Sequence, residues 1–182
     1  MAVRTPVRVR EHSRRTLDQR LALRFPWLGA ANARLIAALP PASRLRKAAL
    51  SRSARLASAA YSRRDLDAVM IGCHPELEYF PGRSWVESGL VEPCYRRHDG
   101  YRAYVAATSE VWGGENYIKP SEVIDLGDRF LLLATVPMRA QASGVRLTES
   151  FAYVATVEDG MVIRLQEYYD HAEALDSVGL SD

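Results

Sequence analysis

At 182 residues the chain has the length of one domain with an appendage, and its 48% hydrophobic and 25% charged residues are those of an ordinary folded protein, which excludes disorder throughout. The net charge of +2 hides a strong asymmetry: up to Leu50 there are 11 Lys and Arg against Glu11 and Asp18 (+9), and after it 13 against 20 acids (−7). A basic arm is therefore joined to an acidic body, and the sequence favours docking of the arm on that body over contact with nucleic acid or a membrane.

Residues 1–15 read as a mobile tail. Thr16 and Gln19 form a capping-box pattern that opens a helix anchored by Leu17 and Leu21, with Pro26 ending or kinking it. A second short helix is expected over 32–39, stopped by Pro40-Pro41. Ser43 is then a good N-cap for a long helix to Arg63 carrying Leu45, Ala49, Leu56 and Ala60 at helical spacing.

Asp65 caps a short helix that ends near Gly72, Leu77–Phe80 reads as a strand, and the stretch from Gly82 to Pro93 reads as a loop or pocket flap. Asp99 can cap a helix over Tyr101, Tyr104, Val105, Val111 and Trp112, closed by Gly113-Gly114.

Four strands follow, over 122–126, 130–141, 145–157 and 161–169, separated by Gly127-Asp128, Ser143-Gly144 and Asp159-Gly160 turns. Pro137 cannot donate to a ladder, which predicts a bulge there. The expected domains are a basic tail and helical arm over 1–42 and an α+β body over 43–182.

The order helix, helix, strand, helix and long antiparallel meander is that of a cone in which a curved antiparallel sheet wraps around N-terminal helices. The chain here resembles the nuclear-transport-factor-2-like superfamily, a cystatin-like fold, and within it the SnoaL-like group of polyketide cyclases, ketosteroid isomerases and limonene epoxide hydrolases. The resemblance is carried from about Ser51 to Leu180 by Arg64-Asp-Leu-Asp67, Arg97-His-Asp-Gly100, Ile124-Asp-Leu-Gly-Asp128, Asp159-Gly-Met-Val162 and Glu167-Tyr-Tyr-Asp170. It implies a small apolar ligand in the cone, acid/base chemistry without a cofactor or a non-catalytic ligand-binding or interaction module, and a homodimer through the sheet. Fold alone does not choose among these.

Period-two alternation places Glu149, Phe151, Tyr153 and Ala155 on one face of their strand and Ile163, Leu165, Glu167 and Tyr169 on one face of theirs. Glu167 is the leading catalytic candidate. By resemblance it matches a catalytic aspartate of the epoxide hydrolases, and burial would raise its pKa into a usable range. Its alternative is an ion pair with an arginine or a bond with a tyrosine inside the sheet.

Tyr153 falls near the oxyanion-stabilising acid of the isomerases, and Glu149 is a second carboxylate that could share a proton with Glu167. Neither known catalytic set is complete: Ala134 and Val136 stand where the hydrolases carry Arg and Asp, and Ala57 and Tyr79 or Phe80 where the isomerases carry Tyr and Asp. Tyr79, Trp85, Trp112, Phe151, Tyr169 and His98 are the candidate substrate-binding residues, the aromatic ones as cavity lining and His98, in a turn motif, either fixing its loop or lining the pocket mouth.

His12, His74, His98 and His171 lack metal-ligand spacing, Cys73 and Cys94 form no CxxC pair, and no phosphate loop or GxSxG turn is present, so neither metal nor cofactor is expected. The two cysteines fit a reduced, cytoplasmic setting. The Ala-rich stretch from Leu28 to Leu39 is too short for a membrane span and is interrupted by Asn32 and Arg34, which also argues against a signal-peptide core. An Arg-rich start can also mark an organellar transit peptide. With Lys47 and Lys119 as the only lysines, the preference for Arg and Ala fits a GC-rich bacterial genome.

Overall fold

The computed structural model describes residues 2–7, 14–112, 117–139 and 146–180; the side chains of 110–112, 138, 139, 146 and 147 lie outside that description. In chain order the elements are β1 (Val3–Pro6), α1 (Leu17–Arg24), α2 (Pro26–Ala38), α3 (Arg44–Ser62), α4 (Leu66–Val69), a 3-10 turn (Met70–Gly72), β2 (Cys73–Phe80) and α5 (Arg83–Glu87). There follow β3 (Tyr95–Arg96), α6 (Arg97–Trp112), β4 (Lys119–Asp125), β5 (Arg129–Arg139), β6 (Arg146–Glu158), β7 (Met161–Tyr168) and α7 (His171–Asp176). One seven-stranded sheet runs in the order β1-β4-β5-β6-β7-β2-β3, antiparallel except where β2 lies parallel to β7.

Local chemistry sets most of these boundaries. The Thr16/Gln19 capping box is formed, the Ser43 hydroxyl accepts from the Arg46 amide at 3.1 Å, and Asp65 and Asp170 accept from Ala68 and Ala172 amides at the starts of α4 and α7. Ser43→Ala is expected to cost about 1 kcal/mol and to lower the melting temperature by roughly 2–4 °C, read by differential scanning calorimetry. An unchanged melting point would show that the cap is idle.

Asp159 (φ 50°) and Gly160 (φ 82°) both adopt left-handed backbone, as a two-residue hairpin turn demands. Gly160 also has no room for a side chain, since a Cβ there would sit 2.5 Å from the Ala33 carbonyl carbon on α2.

Four expectations are corrected. The second helix begins six residues earlier than expected, because Pro26, before which α1 ends at Arg24 as expected, also starts α2 at its first position, where a missing N–H is harmless. The stretch read as a mobile tail contributes β1, which pairs Val3–Pro6 with Glu122–Asp125; Val3 and Val7 are buried while Arg4 stays outside, a period-two signal that the surrounding arginines mask.

The third correction concerns Pro137, which carries no bulge. The β5–β6 register is unbroken from Arg129↔Thr156 to Arg139↔Arg146. Beyond Thr135 the strand has no β4 neighbour among the described residues, so the missing N–H leaves no partner orphaned. The fourth is the flap, which contains the short helix α5.

Two apolar clusters hold the sheet. The larger fills the concave side with Leu77, Tyr79, Tyr101, Tyr104, Val105, Phe151 and Tyr153. The smaller lies on the opposite face, where Ala174, Leu175 and Leu180 cover Ile124, Leu131 and Ala152.

The arm is fixed to this body by one buried arginine. Arg46 donates all five of its N–H groups: to Asp125 through Nε at 2.7 Å and Nη2 at 2.9 Å, to the Ala37 and Leu39 carbonyls through Nη1, and to the Gly127 carbonyl through Nη2. Asp125 in turn accepts from the Gly127 amide at 3.0 Å, so the α2 terminus, α3 and the β4–β5 turn share one bonded centre. Exposed pairs add Arg15–Asp65, Arg52–Asp18 and Arg4–Glu122. Such pairs contribute at most about 1 kcal/mol each.

Candidate functional site

Glu167 stands near the end of β7, between Tyr153 on β6, its direct partner, and the parallel strand β2 on the other side. It is 1% exposed, which makes it the only fully buried carboxylate besides Asp125 among the described residues. Asp125 has an arginine, whereas Glu167 has only phenols. Tyr79, from β2, and Tyr104, from α6, both donate to Oε2, the latter at 2.8 Å.

Its other oxygen, Oε1, makes no hydrogen bond among the described residues. Burial therefore dominates and pushes the Glu167 pKa up from 4.5 to about 8. The Tyr169 phenol and the Gly82 amide favour the charged form and offset only part of that, without a well-formed bond to Oε1.

The surrounding phenols stay protonated. Burial raises Tyr104 and Tyr169, and raises Tyr101 and Tyr153 well above the ordinary tyrosine value. The wall around Glu167 is thus a set of neutral donors and aromatic faces. Tyr79 packs edge-on to Tyr101 at 5.0 Å and Phe151 edge-on to Tyr153 at 4.7 Å, while Trp85 of α5 stacks on Tyr169 at 5.5 Å and 16°.

A cavity of about 30 Å³ opens at this point, bounded by Tyr61, Trp85, Tyr104, Thr108, Ile118, Val136, Phe151, Tyr153, Glu167 and Tyr169. That volume holds about one water molecule.

Of the residues singled out in the sequence, Glu167, Tyr153, Phe151, Trp85 and Tyr169 come together at this cavity. Tyr79 does not line it; it lies fully buried behind Glu167 and serves as a donor. His98 is also elsewhere, with Nε2 at 3.3 and 3.1 Å from the Cys73 and His74 carbonyls, where it ties α6 to β2. Glu149 is opposite Val136, four residues along β6 from Tyr153, which puts it roughly 13 Å along the strand from Glu167's neighbour and out of reach of a shared proton. The Trp112 side chain falls outside the described residues.

Five wall residues, Tyr61, Tyr104, Thr108, Ile118 and Val136, were not among the candidate site residues, although Tyr104 belongs to the aromatic set that the sequence offers as cavity lining. Tyr104 follows Tyr101 and precedes Val105 and Thr108 on one helical stripe of α6, a pattern that marks the inward face without revealing which hydroxyl meets the carboxylate. Tyr61 extends the Leu50–Ala54 stripe of α3 into the cavity. Among the described residues no group of three His, Cys, Asp or Glu could hold a metal, and burial pushes the Cys73 thiol up to about 12, leaving it unreactive.

Gly82 sits at the back of the Tyr169 ring: a Cβ there would press on Cε2 and lie 2.6 Å from Cδ2. Gly82→Ala is expected to displace Tyr169, break its stack on Trp85 and cost about 1–3 kcal/mol. Near-ultraviolet circular dichroism checks this; a spectrum and melting point identical to wild type would show that the ring is not confined.

No family model matches the sequence, and no curated protein is significantly similar to it. Solved structures do match. An NTF2-like protein of unknown function from Burkholderia pseudomallei superposes with a TM-score of 0.59 at 24% identity, over 70% of this chain and 95% of the other. TerC, crystallised with polyporic acid, gives 0.58 at 24% identity over 69% and 94%. The chain has the nuclear-transport-factor-2-like fold. A putative SnoaL-like polyketide cyclase from Jannaschia sp. shares this cone at 13% identity, with a TM-score of 0.55 over 73% of this chain and 92% of the other. These neighbours are matched almost whole, and about three-tenths of the present chain has no counterpart in them.

Proposed function

We propose that the chain performs cofactor-free acid/base chemistry of the isomerase, cyclase or hydrolase type on a small, flat, apolar molecule, with Glu167 as the proton-transferring group. The observation that carries this is a carboxyl group buried among neutral donors at the wall of a cavity, with neither a cation partner nor a bond to Oε1 among the described residues. Removing a carboxylate from water is costly unless the group is paired, and the usual outcome is retention of its proton near neutral pH. A group poised at about 8 can both give and take a proton there. Tyr79 and Tyr104 hold Oε2 and so fix the plane of the carboxyl.

A ligand of this class needs roughly ten times the space now present. Its entry therefore requires the stacked Trp85 and Tyr169 to swing aside, and α5 is the element that would carry Trp85. The small cavity favours a second reading, a non-catalytic module whose cone is only a packed core.

Deuterium exchange into 2-tetralone, a small apolar carbon acid, separates the two by NMR. Abstraction of the carbon-bound proton by Glu167 and return of a deuteron should be faster with the wild type than with Glu167→Gln by about 10²-fold or more. Equal rates for the two proteins, together with no uptake of 2-tetralone or of polyporic acid, would support the packed module.

A further inference from the structure

The cations of the arm fall into two sets. Arg4, Arg15 and Arg34 of the arm, like Arg46 and Arg52 on the adjoining α3, reach acidic partners, whereas Arg14, Arg20, Arg24 and, at the start of α3, Arg44 are exposed and form no ion pair among the described residues, Arg20 and Arg24 being the two on α1. Arg20 and Arg24 share one face of α1 with Leu17, which is 73% exposed, and Leu21. On α2 the outward face carries Trp27 (67% exposed), Ala31, Arg34, Leu35 (69%) and Ala38.

The two helices pack through Ala22 and Gly29, whose Cβ position would be 3.5 Å from the Ala22 Cβ. Leu21, Arg24, Phe25 and Trp27 are thereby gathered at one corner, and all four are exposed there, Trp27 more than Leu21 or Phe25.

From this we infer that the α1–α2 corner is a docking surface for an anionic membrane surface, with Trp27, Phe25, Leu17 and Leu21 entering the headgroup boundary and Arg20 and Arg24 meeting lipid phosphates. An exposed tryptophan and aliphatic groups interleaved with unpaired arginines suit an interface that is apolar on one side and negatively charged on the other. Duplex nucleic acid would satisfy the arginines but offers its sugar–phosphate rails to a face made mostly of Leu, Trp and Phe. A second copy of the chain is disfavoured by charge, because a two-fold interface would set Arg20 and Arg24 against their own equivalents. No helix among the described residues is long and apolar enough to cross a membrane, so the contact is superficial.

Co-sedimentation of the full chain with phosphatidylcholine vesicles, with and without about a third phosphatidylglycerol, tests this. The expected result is binding to the anionic vesicles alone, weakened by salt, with affinity reduced roughly tenfold or more both in Arg20→Gln/Arg24→Gln and in Trp27→Ser. All three positions are exposed, and melting temperatures verify that the variants fold. Absence of binding to anionic vesicles, or wild-type affinity in both variants, would overturn the inference. So would retention of duplex DNA in place of vesicles, or a dimer that Trp27→Ser disperses in a protein that ignores lipid.

Discussion

Glu167→Gln is expected to abolish a pH dependence of stability and to make the protein more stable than the wild type in alkaline solution. The folded-state pKa of Glu167 is about 8, against 4.5 for the ordinary side chain, so the folded protein binds a proton that the unfolded chain has released across that interval. Stability from the retained proton is complete below about pH 4.5 and is lost as the pH climbs to about 8, with nothing further lost above it. The full loss is on the order of 5 kcal/mol.

Gln keeps the shape and an oxygen acceptor for Tyr79 and Tyr104 and has no charge to bury. The two proteins should therefore be within about 1 kcal/mol of each other at pH 5 and diverge with rising pH. Urea unfolding at a series of pH values reads the difference, in which the other titrating groups cancel. A constant difference from pH 5 to 9 would mean that Glu167 is not held neutral.

The second large effect lies at the joint between arm and body. Arg46→Met leaves Asp125 buried without a cation and deprives three carbonyls of their donor, which is expected to cost about 3–5 kcal/mol and to lower the melting temperature by roughly 10 °C. Arg46→Lys should recover little, because an ammonium cannot serve five positions in a planar fork. The double variant Arg46→Met/Asp125→Leu should recover part of the loss, since no charge is then stranded. Calorimetry of the three variants decides it: equal melting points for Arg46→Met and wild type would show that the buried pair does not hold the arm.

The meander was legible because its turns are written in chemistry that few residues can supply. Gly127 and the Asp159-Gly160 pair take left-handed backbone, and the strands between them alternate regularly enough to send Glu167, Tyr153 and Phe151 to one side. The caps at Thr16, Ser43 and Asp65 were legible for the same reason: each is a local bond between neighbours in sequence.

What joins distant segments was not legible. The acceptor of Tyr79 is 88 residues away and that of Tyr104 is 63 away, and Arg46 meets Asp125 across 79 residues, so no periodicity reports them. β1 was lost because Val3 and Val7 alternate with arginines that read as tail. Pro137 misled because its cost depends on whether a neighbouring strand is present, a property of the sheet and not of the residue. Cavity size depends on how Trp85, Tyr169 and Phe151 interlock, and composition carries no record of that.

The proposed chemistry requires that burial hold the Glu167 proton up to near pH 8, so that the resting carboxyl is mostly neutral while its carboxylate form stays within reach. Carbon-13 NMR of the glutamate side-chain carboxyls, with Glu167→Gln used to assign the resonance, measures this directly. A titration midpoint near pH 8 is the predicted result, and a midpoint at or below the ordinary 4.5 would contradict the proposed chemistry at its source.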